Sequence, residues 1–520
     1  MAAIFTADFQ NCFIFIILFL LSTFFYSLFL RKKPKVGCDL PPSPPSLPII
    51  GHLHLLLSLL IHKSLQKLSS KYGPLLHLWV FNVPIVLVSS ASVAYEIFRA
   101  QDLNVSTRNL PTNEGSLFFG SSCFITAPYG DYWKFMKKVI VTKLLGTQAL
   151  ERSRAVRAGE VNRFYSNLLD KAMKKESVDI VKEAMKLINN SISKMLMGRI
   201  CSEKNGEAEK VRRLVTESDA ASKKFFLAAI LRRPLAKLGI SLFKKDLAAI
   251  SDGFDEVFEK ILVEYEEKQD EHHQGTDIMD VLLEAYRDEN AEYKITRNHI
   301  KSLFVDILVA GTDTSTHSIE WTMAEILNNP KILARLREEI DSVVGETRLI
   351  QETDLPNLPY LQAVVKEGLR LHPPGPFMMR AFREGCKIGG FDVQEKTALL
   401  VNGYAVMRDP DFWEDPEEFK PERFLASSRA GQEDEIREAV IKYIPFGSGR
   451  RACPGENLAF ASIGNAIGVM VQGFEWRVEG KINMKEAAGS ITLTMAHPLK
   501  CTPAPRTLNR LTSTLPIPGS

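Results

Sequence analysis

The strongest constraint on this 520-residue chain is the setting of one cysteine. Cys453 lies in a ten-residue stretch, 446–455, that also holds three glycines, one proline and two arginines. A thiolate that holds a metal needs backbone N–H groups aimed at its sulfur, and glycine lets the backbone come close enough to supply them. An arginine two positions before the cysteine can pair with an anionic group on whatever the thiolate binds. A lone cysteine is most often a small buried hydrophobe. Five fixed residues (Phe446, Gly449, Arg451, Cys453 and Gly455) coincide by chance in roughly one chain in several thousand. The stretch therefore reads as a metal-thiolate loop.

The other cysteines, Cys12, Cys38, Cys123, Cys201, Cys386 and Cys501, are scattered, with no Cys-x-x-Cys pair. They form neither a structural zinc pattern nor a secreted disulfide framework, which points to a reducing compartment. A net charge of +3 argues against a global nucleic-acid surface, so no nucleic-acid partner is expected. Residues 9–30 carry no charge, and a helix over residues 13–30 spans about 27 Å, close to the hydrocarbon thickness of a bilayer. Basic residues follow at 31–35 and Asp8 precedes, the reverse of a cleaved signal peptide. The expectation is a single-pass membrane anchor and basic stop over residues 1–35, with the rest on the cytosolic side. The proline-dense residues 36–51 read as a stiff hinge, and residues 52–520 as one catalytic body without an internal linker or repeat.

Within that body, residues 77–89 are rich in β-branched and aromatic side chains and predict a hairpin. Residues 178–200 and 211–226 have helical apolar spacing, and the charged residues 264–275 read as a solvated helix end. A long helix is expected over residues 300–328, with Thr296 as its N-cap and Pro330 just past its end. It contains Gly311, Thr312, Asp313, Thr314 and Ser315, weak helix formers whose run predicts a local distortion opening a groove. Glu367 and Arg370 sit at i and i+3 on one helix face. The spacing means little alone, but His372, two prolines and a Pro-Glu-Arg-Phe run ending at Phe424 follow.

Taken together, in this order, these motifs resemble the cytochrome P450 family over essentially the whole chain. The resemblance implies a mainly α fold with small β-sheets (α+β), carrying an N-terminal transmembrane anchor. It implies haem b with its iron ligated by Cys453, and Phe446, Gly449, Arg451 and Gly455 in the cofactor loop. Trp133 and Lys137, Arg380 and Arg451 would hold the propionates. A lysine replaces the usual arginine at 137 and loses the bidentate fork. Asp313 and Thr314 would be the catalytic acid–alcohol pair that delivers protons beside bound dioxygen. Glu367, Arg370 and Arg423 would form a structural network behind the cysteine loop. By position, Phe118, Phe124, Ala310, Phe377, Met378 and Thr492 would line an apolar substrate pocket.

The expected activity is that of an oxidoreductase, a monooxygenase hydroxylating an apolar plant secondary metabolite with O2. Electrons would come from NADPH through NADPH-cytochrome P450 reductase, docked on a basic face that includes Lys134 and Lys138. Similarity to the plant family containing thalianol-type hydroxylases makes a triterpenoid the preferred substrate class and a flavonoid the second. The implied location is the endoplasmic reticulum membrane, with the catalytic domain cytosolic. A hydroperoxide isomerase or dehydratase, which often lacks the acid–alcohol pair, and a non-enzymatic haem sensor are the alternatives.

Overall fold

The computed structural model describes residues 18–22, 39–81, 83–108, 122–198, 206–224, 227–228, 231, 243–268, 278–290, 293–425 and 442–506. Residues 75–88 form the hairpin: β1 (Leu75–Val80) and β2 (Val83–Val88) pair antiparallel. Strand β3 is the two-residue Val178–Asp179, so the predicted helix over 178–200 starts later, with Asp179 capping it. Strands β4 (Phe377–Ala381), β5 (Cys386–Ile388), β6 (Phe391–Val393) and β7 (Ala398–Asn402) follow, then β8 (Phe474–Arg477) and β9 (Lys500–Pro505). They build a four-stranded sheet in the order β1-β2-β7-β4, a three-stranded sheet β3-β9-β8 and the pair β5-β6. The β2–β7 pairing is parallel, so the sheet closes over a long stretch of intervening chain.

Helices dominate the rest. Five bear on the site: α1 (Asp131–Val139), α2 (Ile180–Met197), α3 (Arg297–Asn328), α4 (Pro359–Leu371) and α5 (Glu456–Gly473). The second predicted helix covers Glu207–Ala220, and the charged run extends a helix to Lys268. Helix α3 starts behind Thr296, whose side chain accepts from His299 N while the His299 side chain accepts from the Thr296 N–H. It is the central strut of the largest core cluster, which takes in α2, α4 and α5; Trp321 on it is buried and donates Nε1–H to Leu493 O at 3.0 Å.

The helix runs unbroken through residues 310–315. Helical structure is continuous from Arg297 to Asn328, and hydroxyls in the weak stretch bond back onto the helix. Thr314 Oγ1 donates to Ala310 O at 2.6 Å, and Ser318 Oγ to Thr314 O at 2.7 Å. Gly311 serves packing: a Cβ there would come within 2.6 Å of Ile192 Cδ1 on α2. The opening lies along one face. Ile307, Ala310, Gly311 and Thr314, spaced at three and four, are partly or fully exposed along one face, with Val309 also half-buried, in a stretch whose other residues are buried.

Among the described residues, no helix is long and apolar enough to cross a membrane. The anchor expected over residues 1–35 lies outside them, apart from the short helical piece at 18–22.

A similar close fit occurs where α4 meets α3. A Cβ on Gly368 would collide with the Thr322 side chain. Gly368→Ala should therefore cost about 1–3 kcal/mol through overpacking. Adding Thr322→Ala should recover most of the loss in the thermal midpoint; no recovery would place the strain elsewhere.

Candidate haem-thiolate site

The cysteine loop is held by its own backbone before any side chain acts. Cys453 N–H donates to Phe446 O at 2.9 Å, and Gly455 N–H reaches the Cys453 sulfur at 3.3 Å. Gly447 and Gly449 both take positive φ, +73° and +70°, which other residues rarely adopt. Gly449 also lies against Asp102, whose carboxylate accepts from Arg450 N at 2.9 Å. The Cys453 thiol is accessible, yet deep enough that burial pushes its pKa up. The Gly455 N–H and the nearby Lys137 act in the opposite direction. Behind the thiol, the Phe446 ring packs on Phe460 of α5.

Cations collect beside the loop. Arg451 is buried, donates Nε–H to Ser106 O at 2.7 Å and Nη2–H to Ala127 O at 2.6 Å, and covers the Trp133 ring at 4.4 Å. Arg380, buried on β4, donates to Met379 O at 2.8 Å and to Arg451 O at 3.2 Å. Lys137 Nζ donates to Ala452 O at 3.2 Å. A fourth member, Arg108, was missed in the sequence because no local motif marks it; its Nη1–H donates to Ile125 O at 2.9 Å. Among the described residues, no carboxylate forms a salt bridge with any of the four.

Burial and mutual repulsion push Arg380 well below its ordinary pKa and Arg451 down to about 9. A guanidinium does not give up its proton in proteins. The same free energy therefore appears as attraction for an anion. Trp133 Nε1 is also buried without a partner among the described residues. An accessible thiol beside four under-neutralised cations and an unused N–H fits haem with two propionates.

Behind the loop, the structure brings together Glu367, Arg370 and Arg423. Arg370 bonds both carboxylate oxygens of Glu367, at 2.7 and 2.9 Å, and Arg423 Nε donates to Glu367 Oε1 at 3.1 Å. Glu367 also accepts from Lys420 N, and Arg370 donates to Met407 O, Pro416 O and Glu418 O. The pair is fully buried.

Asp313 and Thr314 stand about 100° apart around α3, as neighbours on a helix must. Thr314 is on the open face. Asp313 is buried with Oδ2 unpartnered among the described residues, and burial pushes its pKa up to about 7; nearby Asp219 adds to the rise and His317 opposes it.

The residues expected to line the pocket separate. Ala310 is exposed on the open face of α3, and Thr492 and Phe377 are half-buried. Phe377 joins a cluster containing Met379 and Ile491. Phe124 is buried and stacks on Trp133 at 5.6 Å. Met378 points to the other side of β4, packing beneath Gly447, where it braces the cysteine loop. Phe118 lies outside the described residues.

Fold and site define a haem-thiolate protein. The cytochrome P450 family model matches residues 41–501. The chain is 68% identical to cytochrome P450 705A5 of Arabidopsis thaliana over 98% of its length and all of that protein. It is 40% identical to the 3,9-dihydroxypterocarpan 6A-monooxygenase of Glycine max, over 94% of this chain and 97% of that one. A solved zebrafish cytochrome P450 with progesterone superposes with a TM-score of 0.71 at 23% identity, covering 86% of this chain and 99% of that one. The chain belongs to the cytochrome P450 family. It is a P450 monooxygenase, using haem with a cysteine thiolate ligand and electrons from a reductase.

Because Lys137 offers a point charge where a guanidinium would offer a fork, Lys137→Arg should slow haem transfer to apomyoglobin. Arg108→Ala should accelerate it about tenfold, as loss of a charge-assisted bond requires. Equal haem-loss rates in parent and Arg108→Ala would remove Arg108 from the site.

Proposed function

We propose that this chain is a membrane-anchored plant monooxygenase that hydroxylates an apolar polycyclic metabolite, a triterpenoid first and a flavonoid second. The observation that carries the reading is the accessible Cys453 thiol, facing a Gly455 N–H and beside buried and half-buried cations that bridge no carboxylate among the described residues. In this reading Cys453 is the iron ligand, and Arg108, Lys137, Arg380 and Arg451 neutralise the propionates. When bound, the haem supplies the iron that activates dioxygen. The monooxygenase class sets aside the isomerase and the sensor.

The chain's own residues manage water and protons on the substrate side. Thr314 commits its hydroxyl proton to Ala310 O, so its lone pairs are free to accept from a water on the open face. Asp313, buried next to Thr314 with its pKa pushed up to about 7, can hold or release a proton near neutrality. The open face of α3 is apolar apart from Thr314, which suits a substrate with few polar groups.

The anchor reading rests on the uncharged residues 9–30 and the basic residues 31–35, with the endoplasmic reticulum as the membrane. For the reductase, α1 buries Trp133 and Met136 and turns Lys134 and Lys138 outward one helical turn apart. Their charge suits an acidic electron donor such as NADPH-cytochrome P450 reductase. The 68% identical relative carries a family number and no substrate, while the soybean relative is named for a pterocarpan; both classes therefore belong in the test.

Incubation with reductase and NADPH against triterpenoid and flavonoid panels should give a hydroxylated triterpenoid. Turnover of flavonoids alone would reverse the order of preference. Thr314→Ala should divert NADPH electrons into peroxide. Product formed per NADPH should change between pH 6 and 8 in the parent, since Asp313 is mostly protonated below about 7 and ionised above it. In Asp313→Asn that profile should be flat; an unchanged profile would exclude Asp313 as the titrating group. Charge reversal at Lys134 and Lys138 should slow reductase-supported turnover at low salt, and an unchanged rate would remove them from the docking face.

A further inference from the structure

Asp306 is a buried carboxylate one helical turn before Ala310, on the same long helix as the open face. Nothing in the chemistry above uses it. Its two oxygens are nonetheless filled by a single short segment of chain. Oδ2 accepts from Phe124 N at 2.8 Å and from Ile125 N at 3.4 Å, and Oδ1 from the Cys123 thiol at 3.2 Å. The donors are more than 180 residues away in sequence. Charge-assisted bonds to backbone N–H groups are the stronger kind, and here they form where water does not compete.

The carbonyls of that segment are occupied from the opposite direction. Ile125 O accepts from Arg108, and Ala127 O accepts from Arg451 of the cysteine loop. Between them, Phe124 stacks on Trp133, and Tyr132 donates its hydroxyl to Ser122 O. Residues 122–127 thus tie the open-face helix on one side to two cations and a tryptophan on the other.

We propose that Asp306 is a positioning residue: it latches residues 122–127 to α3 and thereby sets where Arg108 and Arg451 stand for the haem propionates. A neutral side chain of the same shape replaces it only in part, because all three groups that meet it, Phe124 N, Ile125 N and the Cys123 thiol, act as donors. An asparagine would present N–H to one of them. The inference rests on the reading of Arg108 and Arg451 as propionate partners.

The test uses the full-length, haem-loaded chain with two readouts. Amide hydrogen exchange over residues 122–127 reads the latch, and haem transfer to apomyoglobin reads the coupling to the cations. In Asp306→Ala, exchange should rise about tenfold or more and haem loss should quicken. Asp306→Asn, which keeps the volume, should show smaller changes in the same direction and serves if the alanine variant does not fold. Glu320→Gln removes another buried carboxylate on the same helix, one that accepts from Leu499 N. It should leave exchange at 122–127 unchanged. Unaltered exchange at 122–127 in both Asp306 variants would overturn the latch. Faster exchange with an unaltered haem-loss rate would overturn the coupling. If Arg108→Ala and Arg451→Ala alone failed to quicken haem loss, the propionate reading would fall, while the exchange result would still judge the latch.

Discussion

Most of the site follows from one electrostatic imbalance. Arg108, Arg380, Arg451 and Lys137 crowd the cysteine loop with backbone carbonyls as their partners and no carboxylate bridged to them among the described residues. Carbonyl dipoles orient these cations but do not cancel their charge. Burial without neutralisation is costly, and it is tolerated where an anionic ligand completes the set. The accessible thiol, the glycine-built loop and the unused indole N–H of Trp133 make sense around that missing negative charge.

Everything that holds the cluster comes from elsewhere in the fold. The parallel pairing of β2 with β7 and the antiparallel β7–β4 register place Arg380 beside the loop. Within the Glu367–Arg370–Arg423 group the Glu367–Arg370 pair is neutral and fully buried, while Arg423 joins it from a partly exposed position. Removing one member of such a pair leaves an uncompensated charge, a loss of about 3–5 kcal/mol. The two networks thus differ in design: one is built on a neutral buried ion pair and is structural, the other has no carboxylate bridged to it among the described residues and binds.

What could be read from the sequence divides along the same line. Residues whose job is local were legible: the glycines around Cys453, Thr296 at the helix start, the hairpin at residues 75–88 and the Glu367–Arg370 spacing. Residues whose job depends on distant partners were not. Arg108 belongs to no motif and gains its meaning from carbonyls of the 122–127 segment and from neighbouring arginines. Asp306 is an unremarkable helix residue until Phe124 and Ile125 are folded onto it. Strand alternation turns Met378 toward Gly447, and the direction of a short strand is not visible without its partner. Through residues 310–315 the helix stays continuous, with Thr314 and Ser318 returning their hydroxyls to it.

The central claim is that Cys453 ligates haem iron as a thiolate inside this cationic cluster. The carbon monoxide adduct of the reduced protein tests it directly, because only thiolate ligation gives the red-shifted Soret band. The parent chain and variants with serine at Cys123, Cys386 or Cys501 should all show that band, and Cys453→Ser should lose it. A Cys453→Ser protein that kept the red-shifted band would contradict the account.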